Sequence, residues 1–480
     1  MKPSTLKVLS DEEIHQIHET SLNILYETGV VIQNEDVLAR LKKEGAILIR
    51  DKQLARIPGS LIEEALRSVP KRSQVTLYDR ERNPIVKCGS GKLHGASGND
   101  ANYILDSETG ERRPALKNDV ANFARLADAL ENIQVISPEA VPHDVTPGAA
   151  MVNAVEAILN NSTKHILVAV PNGMEAKGII EISKLAIDGR ELADCPPVSF
   201  MVSPTSPLRW EAAALEVLVE GSKNAIMHDI LSEPISGITA PITLAGYLVI
   251  QNSEFLVGLL VSQLVNEGTP IMYGCSPTTM DMKEAWPLIG SPEAMILRIA
   301  SGQLAKFYDL PSRTNSEADS QCMDEQNCWE RLLQAVAAAC SDMDLVITQG
   351  QFGTGMTVSY EQLLMDNEML GILNRIKRGV DVNSDTLATE IIKKVGPAGQ
   401  FIKEAHTHKH LKSEHLTSLI STRSSYGRWR EKGGLDIVQV AKGRAKEILS
   451  KHKPKELNER TRSRIRDIVT KYEKLASEGQ

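Results

Sequence analysis

Short apolar runs alternate with helix-like stretches along most of this chain of 480 residues. The runs at 165–170, 198–202 and 270–273 are mainly apolar, and each ends in a polar segment that contains Pro or Gly. A stretch with helical character follows each run. Because buried strands that alternate with helices are typical of a parallel α/β sheet, the pattern predicts a series of βα units.

The number of repeats predicts that the sheet closes into a barrel. About eight βα units make a (β/α)8 TIM-type barrel, whose reactive groups lie in the loops after the strands. We therefore expect an α/β fold with its chemistry directly after the apolar runs. The predicted strands lie near 133–141, 165–170, 198–202, 235–239, 270–273, 311–315, 345–348 and 401–406.

The segments on either side of this alternation are predicted to be extensions of the barrel. Residues 1–95 form an N-terminal, mainly helical extension, in which Ser10 and Glu13 have the spacing of a capping box. Residues 96–425 form the barrel, and residues 426–480 form a C-terminal helical tail. The length agrees with this division, because a barrel of roughly 250–350 residues leaves room for appended pieces.

Composition excludes several classes of protein. Hydrophobic residues make up 42% and charged residues 24%, as in a soluble globular protein, and the net charge of -8 argues against a general nucleic-acid binder. We find no apolar run of the roughly 20 residues that span a bilayer, and no apolar signal-peptide core at the N-terminus. Six cysteines without a CxxC pair predict no disulfide framework, so a cytoplasmic location is expected.

A group of acidic and amide side chains follows the predicted strand at 311–315, among them Glu317, Asp319, Asp324 and Gln326. Carboxylates that lie close together raise one another's pKa and can share a proton, and they attract a cationic substrate. The alternative is the N-cap and first turn of a helix, where acidic side chains meet the helix dipole. Both interpretations stay open at this point.

The loop after the predicted strand at 345–348 carries Gln349, Gln351 and Phe352 together with three glycines. Glycines let a backbone approach a ligand closely. The Phe352 ring could meet a quaternary ammonium, a contact worth roughly 0.5–2 kcal/mol when desolvated. Packing of Phe352 in the core is the alternative.

Two more candidate binding residues are Arg209 and Tyr103. Arg209 follows the run at 198–202 and could clamp a carboxylate, although it could equally be a surface arginine. Tyr103 is chosen by its position alone.

Three histidines, His406, His408 and His410, form the densest histidine cluster in the chain. On a strand they would share one face and could hold zinc, for which imidazole is a common ligand. A hydrogen-bonded structural cluster, or a single pocket histidine, is the alternative.

Several segments in a fixed order resemble the trimethylamine:corrinoid methyltransferase family, from about residue 8 to residue 450. Each segment is weak by itself, and their order and spacing carry the resemblance. The segments are 105–114, 203–208, Asp319-Ser320 with Asp324 and Gln326, 359–368, His406-Thr407 with His410, and Arg423, Tyr426 and Trp429.

The resemblance implies a (β/α)8 barrel that moves a methyl group from a methylated amine to the Co(I) centre of a separate corrinoid protein. Archaeal trimethylamine enzymes of the family carry pyrrolysine in the pocket, whereas this sequence has only the twenty standard residues. Family members without pyrrolysine act on quaternary amines such as glycine betaine, proline betaine, carnitine and γ-butyrobetaine. A quaternary nitrogen already carries its charge, so loss of a methyl group leaves a neutral amine and needs no general acid.

Residue roles follow from this hypothesis. Asp319 and Asp324 match family segments near the mouth and are predicted to be catalytic. No bound metal of the protein's own, no nucleic acid and no membrane partner is expected, while the oligomeric state stays open because barrels of this size often self-associate. The predicted substrate-binding residues are Tyr103, Arg209, Gln349, Gln351 and Phe352.

Two rival functions remain at the level of sequence. A zinc-dependent barrel hydrolase would use His406, His408 and His410, and metal analysis would reveal it. A non-catalytic binder of quaternary amines would bind a betaine without changing the absorbance of Co(I).

Overall fold

The computed structural model describes residues 6–49, 52–187 and 192–478. A mixed extension precedes the barrel, and its first helix begins with the predicted capping box. Glu13 N donates to Ser10 Oγ at 3.2 Å, and Ser10 N donates to Glu13 Oε2 at 2.7 Å. The elements are α1 (Asp11–Glu27), β1 (Val30–Ile32), α2 (Glu35–Lys43), β2 (Ile47–Ile49), β3 (Leu54–Arg56), α3 (Gly59–Ser68), β4 (Thr76–Tyr78) and β5 (Pro84–Lys87).

The next part of the chain confirms the predicted barrel. Eight parallel strands close on themselves, and a helix follows each of them. The elements are β6 (His94–Ser97), β7 (Tyr103–Leu105), β8 (Arg112–Pro114), α4 (Lys117–Asp128), β9 (Ile133–Ile136), α5 (Ala150–Asn161), β10 (His165–Ala169), α6 (Gly173–Ala186), β11 (Val198–Val202), β12 (Arg209–Trp210), α7 (Ala212–Lys223), β13 (His228–Ser232), α8 (Leu244–Val265), β14 (Ile271–Cys275), β15 (Thr279–Asp281), β16 (Trp286–Leu288), α9 (Pro292–Phe307), β17 (Ser312–Asn315), α10 (Glu325–Cys340), β18 (Leu345–Gln349), β19 (Gln351–Phe352), β20 (Thr357–Val358) and α11 (Tyr360–Arg378).

The barrel strands, in their order around the sheet, are β6, β9, β10, β11, β13, β14, β17 and β18. β18 pairs with β6 and closes the circle, with Leu345 opposite His94. The remaining short strands form hairpins and small sheets outside this circle.

Two of the predicted strands are wrong, and two strands of the barrel were not predicted. The first barrel strand is β6, and the fifth is β13 rather than the run at 235–239. Both carry buried polar side chains, such as His94 on β6 and Asp229 on β13, which interrupt the apolar signal. The predicted strand at 401–406 is a short helical turn that leads into the next helix, because β6 already closes the barrel.

The C-terminal part begins earlier than predicted. The last barrel helix ends at Arg378, so residues 380–425 lie outside the eight βα units instead of inside the barrel. Helix α15 packs on α11, and α16 packs on α5 and α6. The elements are α12 (Thr389–Val395), α13 (Ala405–Glu414), α14 (Tyr426–Glu431), α15 (Ile437–Lys451) and α16 (Glu459–Glu478).

Helix α8 corrects the prediction that no segment is long and apolar enough to span a membrane. Among the described residues it is the one helix that meets both criteria, with a mean hydropathy of 1.5 over its most apolar window. Residues that are buried inside the protein make up 72% of that window. The helix packs against β13, α1 and α3, which explains its apolar composition as that of a core helix.

The interior of the barrel is apolar at one end and polar at the other. Leu77 and Val86 of the β4–β5 hairpin join Leu167, Met201 and other inward side chains in one buried cluster. The hairpin covers the end at which the strands begin, where the carbonyl oxygen of Tyr78 lies 2.9 Å from Nδ1 of His165, the first residue of β10. Polar side chains occupy the end at which the strands finish, where (β/α)8 barrels carry their sites.

Candidate functional site

A cavity of about 290 Å³ opens at the carboxyl ends of the barrel strands. Among the described residues that line it, three are carboxylates and none is Lys, Arg, His or an aromatic residue. Ligand pockets for drug-sized molecules start at about 300 Å³, so this cavity suits a small ligand. The lining residues are Asn99, Asp100, Ala169, Met201, Ser203, Leu231, Glu233, Asn315, Glu317, Ile347, Thr348, Gln351, Thr354, Gly355 and Met356.

The three lining carboxylates, Asp100, Glu233 and Glu317, are called here the carboxylate triad. Asp100 follows β6, Glu233 follows β13 directly, and Glu317 follows β17. These positions are far apart in sequence, and closure of the parallel sheet brings the ends of all three strands to one rim. The acidic side chains therefore meet because of the barrel topology.

Burial and mutual repulsion make the triad weakly acidic. Enclosure by the protein raises the pKa of Asp100 to about 7, and the charges of Glu233 and Glu317 add to this effect. Burial likewise raises the pKa of Glu233 to about 7, against the attraction of Arg313. Both side chains are exposed to the water of the cavity, although the barrel wall around them limits how well they are solvated. At neutral pH a cation in this cavity would stabilise their ionised forms.

A buried polar network on the barrel strands holds Glu317 in place. Asn315 Nδ2 donates to Glu317 Oε1 at 2.8 Å and to Ser276 Oγ at 2.7 Å. Arg313 Nη1 donates to Asn315 Oδ1 at 2.7 Å, and Arg313 Nε donates to Asp229 Oδ2 at 2.6 Å in a fully buried ion pair. Burial raises the pKa of Glu317, and the positive charges of Arg298 and Arg331 oppose that rise. The network fixes the direction in which this carboxylate points.

The loop after β18 closes one side of the cavity. Arg331 Nε donates to Asp366 Oδ1 at 2.8 Å, and Gly350 N donates to Asp366 Oδ2 at 2.7 Å. Gln351 Nε2 donates to the carbonyl oxygen of Asn99 at 2.6 Å, and its Oε1 has no partner among the described residues. Gln351 therefore joins the first and last loops of the barrel and keeps an acceptor for a ligand.

Gly355 lets this loop lie against the triad. Its φ of +76° is in the left-handed region, and a Cβ atom there would lie 2.9 Å from Glu317 Oε2. Only glycine meets both conditions without strain.

The structure separates the five predicted substrate-binding residues. Gln351 lines the cavity, while Gln349 and Phe352 are buried and do not line it. Tyr103 lies in a hairpin beneath the Arg112 guanidinium, 3.9 Å from the ring centroid. Arg209 is exposed on β12 and pairs with Glu211 at 3.4 Å, outside the cavity. The proposed site therefore includes Gln351 and does not include Tyr103, Arg209, Gln349 or Phe352.

The two aspartates predicted to be catalytic have structural partners. Asp319 accepts hydrogen bonds from the backbone N–H groups of Ile289 and Gly290, both at 2.9 Å. Asp324 is the N-cap of α10 and accepts from Asn327 N at 2.9 Å, a bond that lowers its pKa. Neither lines the cavity. For Asp324 the structure favours the N-cap alternative, and for Asp319 it favours bracing of the loop before α9.

Sequence reasoning missed Asp100 and Glu233. Both follow barrel strands, but those strands, β6 and β13, were not recognised. The available signal was the acidic residue directly after each strand. Glu317 was recognised as part of an acidic group because its strand had been predicted.

The three histidines do not share a face. Their segment is helical, so His406 and His410 lie on one face of α13, with ring centroids 4.4 Å apart, and His408 lies elsewhere. Helix α13 is outside the barrel, and no histidine lines the cavity among the described residues. The barrel hydrolase with a three-histidine zinc site is therefore not supported.

A closed parallel barrel with a polar cavity at the carboxyl ends of its strands has the organisation of a (β/α)8-barrel enzyme. The chain belongs to the trimethylamine methyltransferase (MTTB) family, whose model matches residues 2–476. The protein is therefore a methyltransferase.

Named relatives span nearly the whole chain. Trimethylamine methyltransferase MttB of Desulfitobacterium hafniense (strain DSM 10664 / DCB-2) is 34% identical over 97% of this chain and 93% of its own length. Glycine betaine methyltransferase of Desulfitobacterium hafniense (strain Y51) is 30% identical over 98% of both chains. The crystal structure of the hydroxylamine MtmB complex is similar in fold, with a TM-score of 0.50, 13% identity, and coverage of 93% of this chain and 96% of that chain.

Proposed function

We propose that this enzyme transfers a methyl group from a small quaternary amine, of the glycine betaine, proline betaine, carnitine or γ-butyrobetaine type, to the Co(I) centre of a separate corrinoid protein. The observation that carries the proposal is the carboxylate triad in a small cavity that no cationic side chain lines in the described part of the chain. Such a cavity attracts a ligand with a permanent positive charge, because the carboxylates attract it and no described lining side chain repels it. The family resemblance supports the corrinoid acceptor.

The triad would hold the ammonium end of the substrate. A quaternary ammonium has no N–H group to donate, so its attraction to Asp100, Glu233 and Glu317 is electrostatic and needs no fixed hydrogen-bond geometry. The hydroxyls of Ser203 and Thr354 also line the cavity and suit the other end of the molecule. The carboxylate of a betaine would there receive hydrogen bonds instead of an ion pair.

Within the cavity the protein orients the substrate and excludes water, and no side chain has to transfer a proton. The corrinoid protein supplies the nucleophile, which takes the methyl group and leaves a neutral tertiary amine. Because the positive charge disappears from the nitrogen during transfer, the triad attracts the substrate more strongly than the product. Interactions of this kind favour substrate binding and product release more than the chemical step itself. We therefore expect changes in the triad to act mainly on KM.

The corrinoid partner would approach the mouth of the barrel over an apolar rim. The rim consists of Ile238, Ile242, Met282 and Trp286, which are all more than half exposed. Trp286 Nε1 donates to Oγ1 of Thr354 at 3.3 Å, and Thr354 lines the cavity. An exposed apolar surface beside the entrance suits the flat, largely apolar face of a corrin ring.

Trimethylamine is a second candidate substrate. It carries no carboxylate, which agrees with the lack of a cationic side chain among the described lining residues, and several relatives are named for this activity. Neutral trimethylamine must gain a proton on its nitrogen before a methyl group can be transferred, because only then is neutral dimethylamine the leaving group; the quaternary amines already carry the positive charge and avoid this step. Trimethylamine therefore requires a proton on its nitrogen, whereas the quaternary amines do not.

An absorbance assay tests the proposal. Purified protein is mixed with Co(I) cobalamin or the native corrinoid protein, and the betaines and trimethylamine are added one at a time. Loss of the Co(I) absorbance with one quaternary amine is expected, and the Glu233→Gln variant should show a raised KM. Glu211→Gln, which changes a half-exposed glutamate outside the cavity, is the matched control.

Three outcomes contradict the proposal. Demethylation without any corrinoid would exclude the acceptor that we propose. Binding of a betaine with no change in Co(I) absorbance, even with the native corrinoid protein, would favour a non-catalytic binder. Turnover of trimethylamine alone would favour the second candidate.

A further inference from the structure

Residues 380–436, called here the arm, have almost no core of their own. Ile420 is the only buried residue in the arm, and α12, α13 and α14 contain none. Ordering a backbone costs roughly 1–2 kcal/mol per residue, which is usually offset by apolar burial. Small units that cannot bury enough apolar surface are commonly held by disulfides or by a metal ion.

Polar contacts hold the two halves of the arm in different ways. The second half is tied to the barrel, since Leu419 N and Ser421 Oγ donate to the carboxylate of Glu368, both at 2.9 Å. The loop at 380–388 has no such tie among the described residues, and its polar contacts with α13 all run through Asp385.

Asp385 faces two histidines that are one helical turn apart. His406 and His410 lie at positions i and i+4 of α13 and therefore share a face. His410 Nε2 lies 3.2 Å from Asp385 Oδ2, and His406 Nε2 lies 3.1 Å from the Asp385 carbonyl oxygen. One possible ligand atom from each of the three side chains lies within 4.8 Å of the other two. The three donors thus converge on a common point.

The position of Asp385 is set by its own loop. Asn383 Oδ1 accepts hydrogen bonds from Asp385 N at 2.9 Å and from Thr386 N at 3.0 Å. This turn presents the carboxylate to α13. His410 Nε2 makes no well-directed hydrogen bond with the described residues, so its nitrogen is free to ligate.

We propose that Asp385, His406 and His410 form a binding site for a divalent transition-metal ion of the Zn²⁺ class, which ties the loop of the arm to α13. Two imidazoles and one carboxylate are a donor set that Zn²⁺ accepts, with water completing four ligands. The site is structural and lies outside the barrel, so it differs from a catalytic metal at the cavity. Its test is independent of the proposed methyl transfer.

Lys409 competes with the metal for Asp385. Its Nζ lies 2.6 Å from Asp385 Oδ2, and its side chain is 62% exposed. The ammonium group therefore neutralises the carboxylate when no metal is present, and the exposed side chain can move into solvent when a metal ion binds. Removal of this positive charge should strengthen metal binding.

The first experiment is a titration of the full-length, chelator-treated protein with Zn²⁺ by calorimetry and with Co²⁺ by absorbance. We expect one ion per chain and the visible absorbance of tetrahedral Co²⁺. His406→Ala and His410→Ala should each weaken binding at least tenfold. His408→Ala and His415→Ala are the matched controls, because both remove an imidazole from the same segment but not from the site.

Two further measurements test the effect of Lys409→Gln on metal binding and the effect of Zn²⁺ on the conformation of the arm. Lys409→Gln should bind Zn²⁺ at least threefold more tightly than the wild-type protein, and Zn²⁺ should slow proteolytic cleavage within 380–404. Circular dichroism checks that each variant is folded. The proposal is overturned if the wild-type protein binds no stoichiometric metal, if the control histidines matter as much as His406 and His410, or if Lys409→Gln binds more weakly.

Discussion

Glu233 should make the protein less stable as the pH rises, and replacing it by glutamine should remove that effect. Its pKa of about 7 in the folded protein lies above the ordinary value of 4.5. A carboxyl group whose pKa is raised by folding binds more protons in the folded state than in the unfolded state over this range. The stability of the wild-type protein should therefore fall between about pH 4.5 and pH 7 and then level off, and Glu233→Gln should lack this decline.

The size of the effect follows from the difference between the two pKa values. A change from 4.5 to about 7 corresponds to about 3 kcal/mol at a pH above both values. Glu233 is exposed to the water of the cavity, so screening reduces the expected effect to about 1 kcal/mol. In a chain of this length such a change raises the melting temperature by about 1–2 °C.

Thermal melting of the wild-type protein and of Glu233→Gln at pH 5 and pH 8 measures this difference. The variant should be more stable at pH 8 and nearly equal at pH 5, and calorimetry at pH 8 should show weaker binding of the quaternary amine. Glu211→Gln should change neither quantity. A Glu233→Gln protein that is less stable at pH 8, or that binds the amine as tightly as the wild-type protein, would refute the assignment of Glu233 to a crowded anionic site.

The other predictions concern the same cavity and its rim. Affinity for a quaternary amine should rise severalfold between pH 6 and pH 8, because Asp100 and Glu233 ionise there and the charge of the ligand does not titrate; a flat profile by calorimetry would count against the triad. Gly355→Ala should raise KM at least tenfold, since its Cβ would press on Glu317, whereas Gly110→Ala, with a similar φ of +73° and open space, should leave KM unchanged. Trp286→Ser should lower the rate with the corrinoid protein severalfold without weakening calorimetric binding of the amine; equal loss of both would place Trp286 in the amine site instead of on the rim.

The alternation of apolar runs and helices was sufficient to predict a closed parallel barrel, because four of its strands are mainly apolar or small-residue runs. The runs at 165–170, 198–202, 270–273 and 345–348 coincide closely with strands of the barrel. β6 and β13 escaped prediction because buried polar side chains, such as His94 on β6 and Asp229 on β13, interrupt their apolar pattern. On β13, Asp229 is inside the barrel as the partner of Arg313, so the strand lacks the apolar signature of its neighbours.

The two missed strands also explain why most of the candidate site was missed. Site residues in a barrel are found by counting one or two positions past a strand, and a strand that is not recognised hides the residues that follow it. Asp100 and Glu233 were hidden in this way, whereas Glu317 and Gln351 followed strands that had been recognised. Asp324 was chosen because it matches a family segment near the mouth, but its position as the N-cap of α10 is equally visible as a sequence pattern.

The sequence by itself determined the class of the fold, the family and the expectation of a cationic substrate, because periodicity, segment order and acidic composition are properties that are read along the chain. The tertiary structure alone decided which carboxylates meet, which strand closes the barrel, and that His406 and His410 face Asp385 instead of the cavity. These facts depend on contacts between residues that are distant in sequence. Closure of the sheet brings Asp100, Glu233 and Glu317 to one rim, and no local pattern specifies that meeting.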